Sequence, residues 1–233
     1  MSHPDPLDRE ERQLRRRRLG GIVLAIGALL AVAGVMAWPD WVRSRMNGNE
    51  SAAIATLKNL SSAQSQLQAS GAQDANGNGS GEYGFFGELS GAAPLRNAEP
   101  AQRVRLTPPV LSAAFQRVEQ GRVHRGGYVF ELWLPAVGGG WISERELAAG
   151  RQVDADAAET LWMCYAWPES PGSTGVRSFL VNHSGDILMA RGDAGFSCTS
   201  APVPERSGFV PTPTGWAVSV NTVDCHGDPW TVV

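Results

Sequence analysis

The sequence predicts an α+β chain: an N-terminal transmembrane helix, then one domain in which a helical spine packs on an antiparallel β-meander. Three observations lead there. An arginine-rich start gives way abruptly to an uncharged apolar run at 19–38. An amphipathic stripe follows at 50–70. Short apolar or alternating segments, separated by turn residues, then occupy 127–190.

The first 18 residues hold Arg9, Arg12 and the run Arg15-Arg16-Arg17-Arg18, and they form a basic tail. From Leu19 to Trp38 no charged residue occurs. At about 1.5 Å per residue this stretch reaches about 30 Å, the hydrocarbon thickness of a bilayer. Only Arg43 and Arg45 follow it closely, so the positive-inside bias puts residues 1–18 in the cytoplasm and the rest outside, at a bacterial inner membrane, with Trp38 and Trp41 at the outer interface. A cleavable signal peptide is the alternative, because Ala31-Val32-Ala33 and Val35-Met36-Ala37 offer small residues to a peptidase. The apolar run is longer than the usual signal core of about 7–15 residues. Both readings export the remainder.

Pro39 and Asp40 are expected to stop the helix, with 39–48 a linker centred on Asn47-Gly48-Asn49. Residues 49–233 then form a single extracytoplasmic domain, since the chain of 233 residues minus tail and anchor suits one core. Within 50–70 the apolar residues Ala53, Leu57, Leu60 and Leu67 share one stripe, supported by Ile54 and Ala63. The stripe needs a partner surface, and the sheet downstream supplies it. Residues 111–118 are expected to form a short helix and 136–151 an insertion. Strands are expected at 127–134, where Tyr128, Phe130, Leu132 and Leu134 alternate with Val129, Glu131 and Trp133, and at 161–167, 176–181 and 186–190. The Asn182-His183-Ser184-Gly185 turn makes the last two antiparallel neighbours. Residues 192–224, rich in Pro, Gly and Ser, read as irregular, and 230–233 as a closing edge strand.

The net charge of −3, with Lys58 the sole lysine, leaves no broad basic face, so nucleic acid is not an expected partner. No Gly-x-Ser-x-Gly elbow or His-Glu-x-x-His helix occurs. His124, His183 and His226 stand apart in turns or strand ends, and an enzyme is not expected. The acidic group Asp154, Asp156 and Glu159 suits a solvated helix start. Cys164 has apolar strand neighbours and reads as a buried free thiol, whereas Cys198 and Cys225 either pair or stay reduced. One loop has metal-ligand spacing. In Asp74-x-Asn76-x-Asn78-Gly79-x-x-Glu82, oxygen donors at alternate positions suit a hard cation, calcium above all. Position twelve of an EF-hand is a glutamate but here is Phe85, and a glycine-rich turn explains the same residues without metal.

Several segments resemble those of pseudopilin-like bacterial proteins. They are Ser51-Ala-Ala-Ile-Ala-Thr-Leu-Lys-Asn-Leu-Ser-Ser-Ala-Gln-Ser-Gln-Leu-Gln68, Gly81-Glu-Tyr-Gly-Phe-Phe-Gly-Glu-Leu-Ser-Gly91, Gly127-Tyr-Val-Phe130, Tyr165-Ala-Trp-Pro168 and Gly172-Ser-Thr-Gly-Val-Arg-Ser-Phe-Leu-Val-Asn182. The order of membrane helix, spine and sheet likewise resembles the type IV pilin and type II secretion pseudopilin family. That resemblance implies a pilin-like domain and a non-enzymatic structural or accessory role in a secretion or pilus-like envelope apparatus, with the lipid bilayer and envelope components as partners. True prepilins carry a glutamate in the membrane segment that serves assembly, and 22–37 contains none. The alternative is therefore a membrane-tethered binding or scaffold domain that does not polymerise.

Overall fold

The computed structural model describes residues 6–96, 104–191, 209–212, 215–218 and 230–233. Residues 1–45 and 46–233 form two compact units. Helix α1 covers Pro6–Ser70. The expected stop at Pro39 and the expected joint at 47–49 both lie inside it, so the backbone is helical at both. A proline removes one helical hydrogen bond and costs about 3 kcal/mol, but this does not by itself end a helix with helix-forming residues on both sides.

The expected transmembrane helix is also corrected, and with it the fold class. Among the described residues no helix is long and apolar enough to cross a membrane. The described side chains of α1 include Arg15, Arg43, Arg45, Glu50 and Lys58 as well as apolar ones. From residue 50 onward the helix is one-sided, a pattern that suits a sheet rather than lipid on every face. The fold is an antiparallel seven-stranded sheet with a few helices, without the membrane-spanning helix expected ahead of it among the described residues.

After α1 come α2 (Phe86–Leu89) and a single 3-10 turn at Ala113–Phe115, shorter than the helix expected at 111–118. The strands are β1 (Arg122–Arg125), β2 (Tyr128–Pro135), β3 (Trp141–Ser143), β4 (Met163–Pro168), β5 (Arg177–Asn182), β6 (Ile187–Arg191) and β9 (Thr231–Val232), ordered β1-β2-β4-β5-β6-β9 with β3 also on β2. Helices α3 (Glu144–Ala148) and α4 (Ala155–Ala158) lie between β3 and β4. The stretch 136–151, expected as an insertion, thus supplies a strand and a helix. The region 192–224, expected to be irregular, contains the hairpin of β7 (Phe209–Thr212) and β8 (Gly215–Val218).

The hairpin β1–β2 pairs Arg125 with Tyr128 across Gly126 and Gly127, whose φ values of 58° and 74° meet the left-handed requirement of a two-residue turn. Both faces of the sheet are buried. On one face Tyr128, Phe130, Leu132, Leu134, Cys164, Ala166, Phe179 and Val181 form a core with Ala53, Leu57, Leu60, Ala63 and Leu67 of α1. On the other, Val129, Met163, Tyr165, Trp167, Leu180 and Leu188 cluster with Trp141 and Trp230.

Polar groups fix the helix in place. Gln64, fully buried, donates from Nε2 to the Gly84 carbonyl (2.8 Å) and accepts the Gly84 amide (2.9 Å), so its amide docks like one more rung of backbone. Glu50, buried at the other end of the stripe, accepts the amides of Val176 and Arg177 (2.9 and 3.1 Å) and the Arg177 Nε (2.7 Å). Burial of a charge is tolerable only with partners of this kind.

Candidate functional site

The end of α1 delivers the chain into the loop 71–84. Gly77 and Gly79 adopt φ values of 70° and 88° there, and the backbone amides turn toward side-chain oxygens. Asp74 accepts the amides of Asn78 (3.1 Å) and Gly79 (3.0 Å). Asn76 Oδ1 accepts the Asn78 amide (3.1 Å), and Asn78 Oδ1 accepts that of Ser80 (2.8 Å). The loop is thus a set of nested turns in which the candidate ligand oxygens already serve the backbone.

The acidic residues of α4 meet this loop. Asn76 Nδ2 donates to Asp156 (2.6 Å) and Glu159 (3.1 Å), and Asn78 Nδ2 donates to Glu159 (2.7 Å). Asp154 instead caps its own helix by accepting the Ala157 amide (3.1 Å). The structure therefore brings Asp74, Asn76, Asn78, Asp156 and Glu159 onto one exposed patch. It does not bring Glu82 there. That side chain is fully buried, accepts the Ala75 amide from inside the loop, and points its second oxygen toward Arg96 (3.7 Å). Among the described residues no group of three or more His, Cys, Asp or Glu side chains is placed to hold a metal ion.

Glu82 belongs to a second, buried cluster. The Arg96 guanidinium donates from Nε to Glu88 (2.7 Å) and from Nη2 to the Tyr83 carbonyl (2.6 Å), and it lies 5.5 Å over the Phe85 ring. The second Glu88 oxygen accepts the Phe85 amide (2.7 Å) and starts α2. Glu144, at the start of α3, accepts the Gly87 amide (3.2 Å). Loss of water raises the Glu82 carboxyl above its ordinary range, against the opposing pull of the Ala75 amide and Arg96. Sequence reading missed this cluster, although a signal was present: Glu82 and Glu88 stand among Tyr83, Phe85, Phe86 and Leu89, where a carboxylate requires a dedicated partner.

The remaining candidates are scattered. His124 Nδ1 lies 3.1 Å from Glu169 on the surface, beside a hollow of about 350 Å³ lined by Ala113, Ala114, Arg117, Glu119 and His124. Burial lowers the His183 pKa. Cys164 is a buried free thiol whose pKa burial pushes well up, so it is held as the neutral, unreactive form. Cys198, Cys225 and His226 lie outside the described residues. Comparison with known proteins finds no matching family model, no matching curated protein and no matching solved structure.

Proposed function

We propose that the protein is a non-enzymatic, pseudopilin-like structural or accessory component of a secretion or pilus-like envelope apparatus, resident at the bacterial inner membrane. The observation that carries this reading is how residues 50–70 are built into the sheet. An apolar stripe, the paired Gln64 bonds and the Glu50–Arg177 bonds join that part of the helix to the strands, so a load on one is borne by the other. A subunit that transmits force or position needs this coupling more than it needs a cleft. The five sequence segments quoted above add their resemblance. Association with the membrane is supported by the arginine-rich start and by the exposed apolar side chains Leu19, Ile22, Leu24 and Ile26, surfaces that lipid would cover.

The test is fractionation of the full chain expressed in a bacterial host with two membranes. The reading expects recovery with the inner membrane, residues 46–233 cut by protease only after the outer envelope is opened, and cross-links to envelope secretion components. Recovery as a free cytoplasmic protein would sink it. Membrane recovery without such cross-links would instead favour a tethered binding or scaffold domain, the reading that the absence of glutamate from 22–37 supports. Calcium at 74–82 is part of the proposal as a weak stabilising ligand, since Asp74, Asp156 and Glu159 concentrate negative charge on one patch.

A further inference from the structure

An asparagine followed by glycine is open to attack on its side-chain amide by the glycine's backbone nitrogen, because no Cβ crowds the approach. The sequence has three such pairs: Asn47-Gly48 within α1, and Asn76-Gly77 and Asn78-Gly79 in the exposed loop. They differ in whether the attacking nitrogen is engaged. The Gly48 amide belongs to the hydrogen-bond ladder of α1. The Gly79 amide donates to Asp74 Oδ2 (3.0 Å). Among the described residues the Gly77 amide donates to no group, and the space where a Cβ would stand is open. The other groups of the reaction are already placed around Asn76. Its Oδ1 accepts the Asn78 amide (3.1 Å), a donor aimed at the oxyanion that forms on attack. Its Nδ2 donates to Asp156 (2.6 Å) and Glu159 (3.1 Å), carboxylates that stabilise the positive charge the leaving nitrogen acquires. Asn78 has similar partners in Ser80 and Glu159, so the nucleophile is what separates the two loop pairs.

We propose that Asn76 is a site of intramolecular deamidation, which converts the loop to an acidic form that α4 repels. The Gly77 nitrogen gives its proton to solvent hydroxide and bonds to the Asn76 side-chain carbonyl carbon. The bond from that carbon to Nδ2 breaks, and the nitrogen takes a proton from water and leaves as ammonia. A cyclic imide remains, and water opens it at either carbonyl to give an aspartyl or an isoaspartyl residue. One water is consumed, one ammonia is released and no electrons change hands. The product has a carboxylate where Asp156 and Glu159 held an NH₂ group, so two hydrogen bonds between the loop and α4 are replaced by like-charge repulsion.

The experiment is peptide mapping by mass spectrometry on the full chain, incubated at alkaline pH both folded and in urea. Trypsin cuts at Lys58 and so separates Asn47 from the loop pairs, and fragmentation resolves Asn76 from Asn78. In the folded chain position 76 should exchange amide for acid at least about tenfold faster than 47 or 78, the worth of the one hydrogen bond that Gly48 and Gly79 must first break. In urea the three rates should converge. Asp74→Ala frees the Gly79 amide and should bring the rate at 78 up to that at 76, and Glu159→Gln should slow 76. Asn76→Asp, which carries the charge of the product, should melt below the wild type in chelator, and equal melting overturns the repulsion of α4. A folded rate at 76 no faster than at 47 and 78, or an amide at 76 that survives in the folded chain and is lost only in urea, overturns the site. Were Asp74→Ala to fail to fold, the comparison of folded and unfolded wild type decides the matter.

Discussion

Replacing Arg96 with Met keeps most of the aliphatic stem and removes the charge, so the substitution separates packing from electrostatics. The side chain is 13% exposed and is the cation shared by Glu82 and Glu88. Breaking a buried ion pair from one side costs about 3–5 kcal/mol, because the abandoned charge stays buried. Here the loss comprises a charge-assisted bond to Glu88, a bond to the Tyr83 carbonyl and the contact with the Phe85 ring. A bond to a charged group contributes about 1.5–3 kcal/mol and a cation over an aromatic ring about 1 kcal/mol, which reaches the same range. The measurement is equilibrium urea unfolding of the full chain by tryptophan fluorescence at pH 8 and pH 5, urea being preferred because guanidinium would screen the charges. The loss should be about 3–5 kcal/mol at pH 8 and smaller at pH 5. Without the guanidinium Glu82, already raised by burial, takes up its proton at still higher pH, so stability falls more steeply as pH rises above the ordinary carboxyl range. Adding Glu88→Gln should recover part of the loss, since the two side chains touch. A loss under about 1 kcal/mol at pH 8, or one that grows toward pH 5, would refute the reasoning.

Leu60→Ala should cost about 2–5 kcal/mol by the same unfolding assay, because Leu60 is fully buried between α1 and the sheet, and a loss under about half a kcal/mol would place the helix off the core. Gly81→Ala should destabilise by at least the 1–3 kcal/mol typical of overpacking, about that range or more, since a Cβ there would sit 1.8 Å from the Gln68 carbonyl oxygen; a wild-type melting curve would contradict the path of the loop. Calcium at a hundred times a dissociation constant of about 10⁻³ M should stabilise the wild type by about 2.7 kcal/mol and leave Asp74→Ala unmoved. Identical melting in calcium and in chelator would leave the loop a turn.

How legible the fold was depended on where periodicity survives burial. The alternation in Tyr128, Phe130, Leu132 and Leu134 located β2 to within a residue, and β4, β5 and β6 begin within two residues of the expected starts at 161, 176 and 186. These strands are short apolar runs between turn residues, and the physics of that pattern is local. Strand β3 escaped because Trp141–Ser143 has only three residues and draws its identity from pairing with Trp133, Leu134 and Pro135. The membrane helix was read from an uncharged run alone, whereas helix continuity depends on the whole of Pro6–Ser70, where Pro39 is one position in sixty-five. Residues 161–167 are apolar on both faces, and the second face is a core that holds Trp141 and Trp230.

The candidate site was legible in composition and not in direction, and the reason lies in its glycines. In a strand or helix the spacing of two residues fixes whether their side chains share a face. In 74–82, positive φ at Gly77 and Gly79 breaks that rule, so Asp74, Asn76, Asn78 and Glu82 look like one alternating ligand set while the chain turns Glu82 inward. Its place on the patch is taken by Asp156 and Glu159, about eighty residues away, the first within the single turn of α4 and the second at its C-terminal cap. The asparagines are what make this exchange workable. Each offers an oxygen to a backbone amide and an NH₂ group to a carboxylate, so acids from α4 can approach a loop that already holds Asp74. A cation would compete with those NH₂ groups for the same carboxylates. Replacing Asn78 by Asp should therefore weaken the loop without calcium, where it adds a repelling charge beside Glu159, and raise the calcium-induced gain in melting temperature. An Asn78→Asp protein as stable as wild type in chelator would mean that the amide bond to Glu159 contributes nothing.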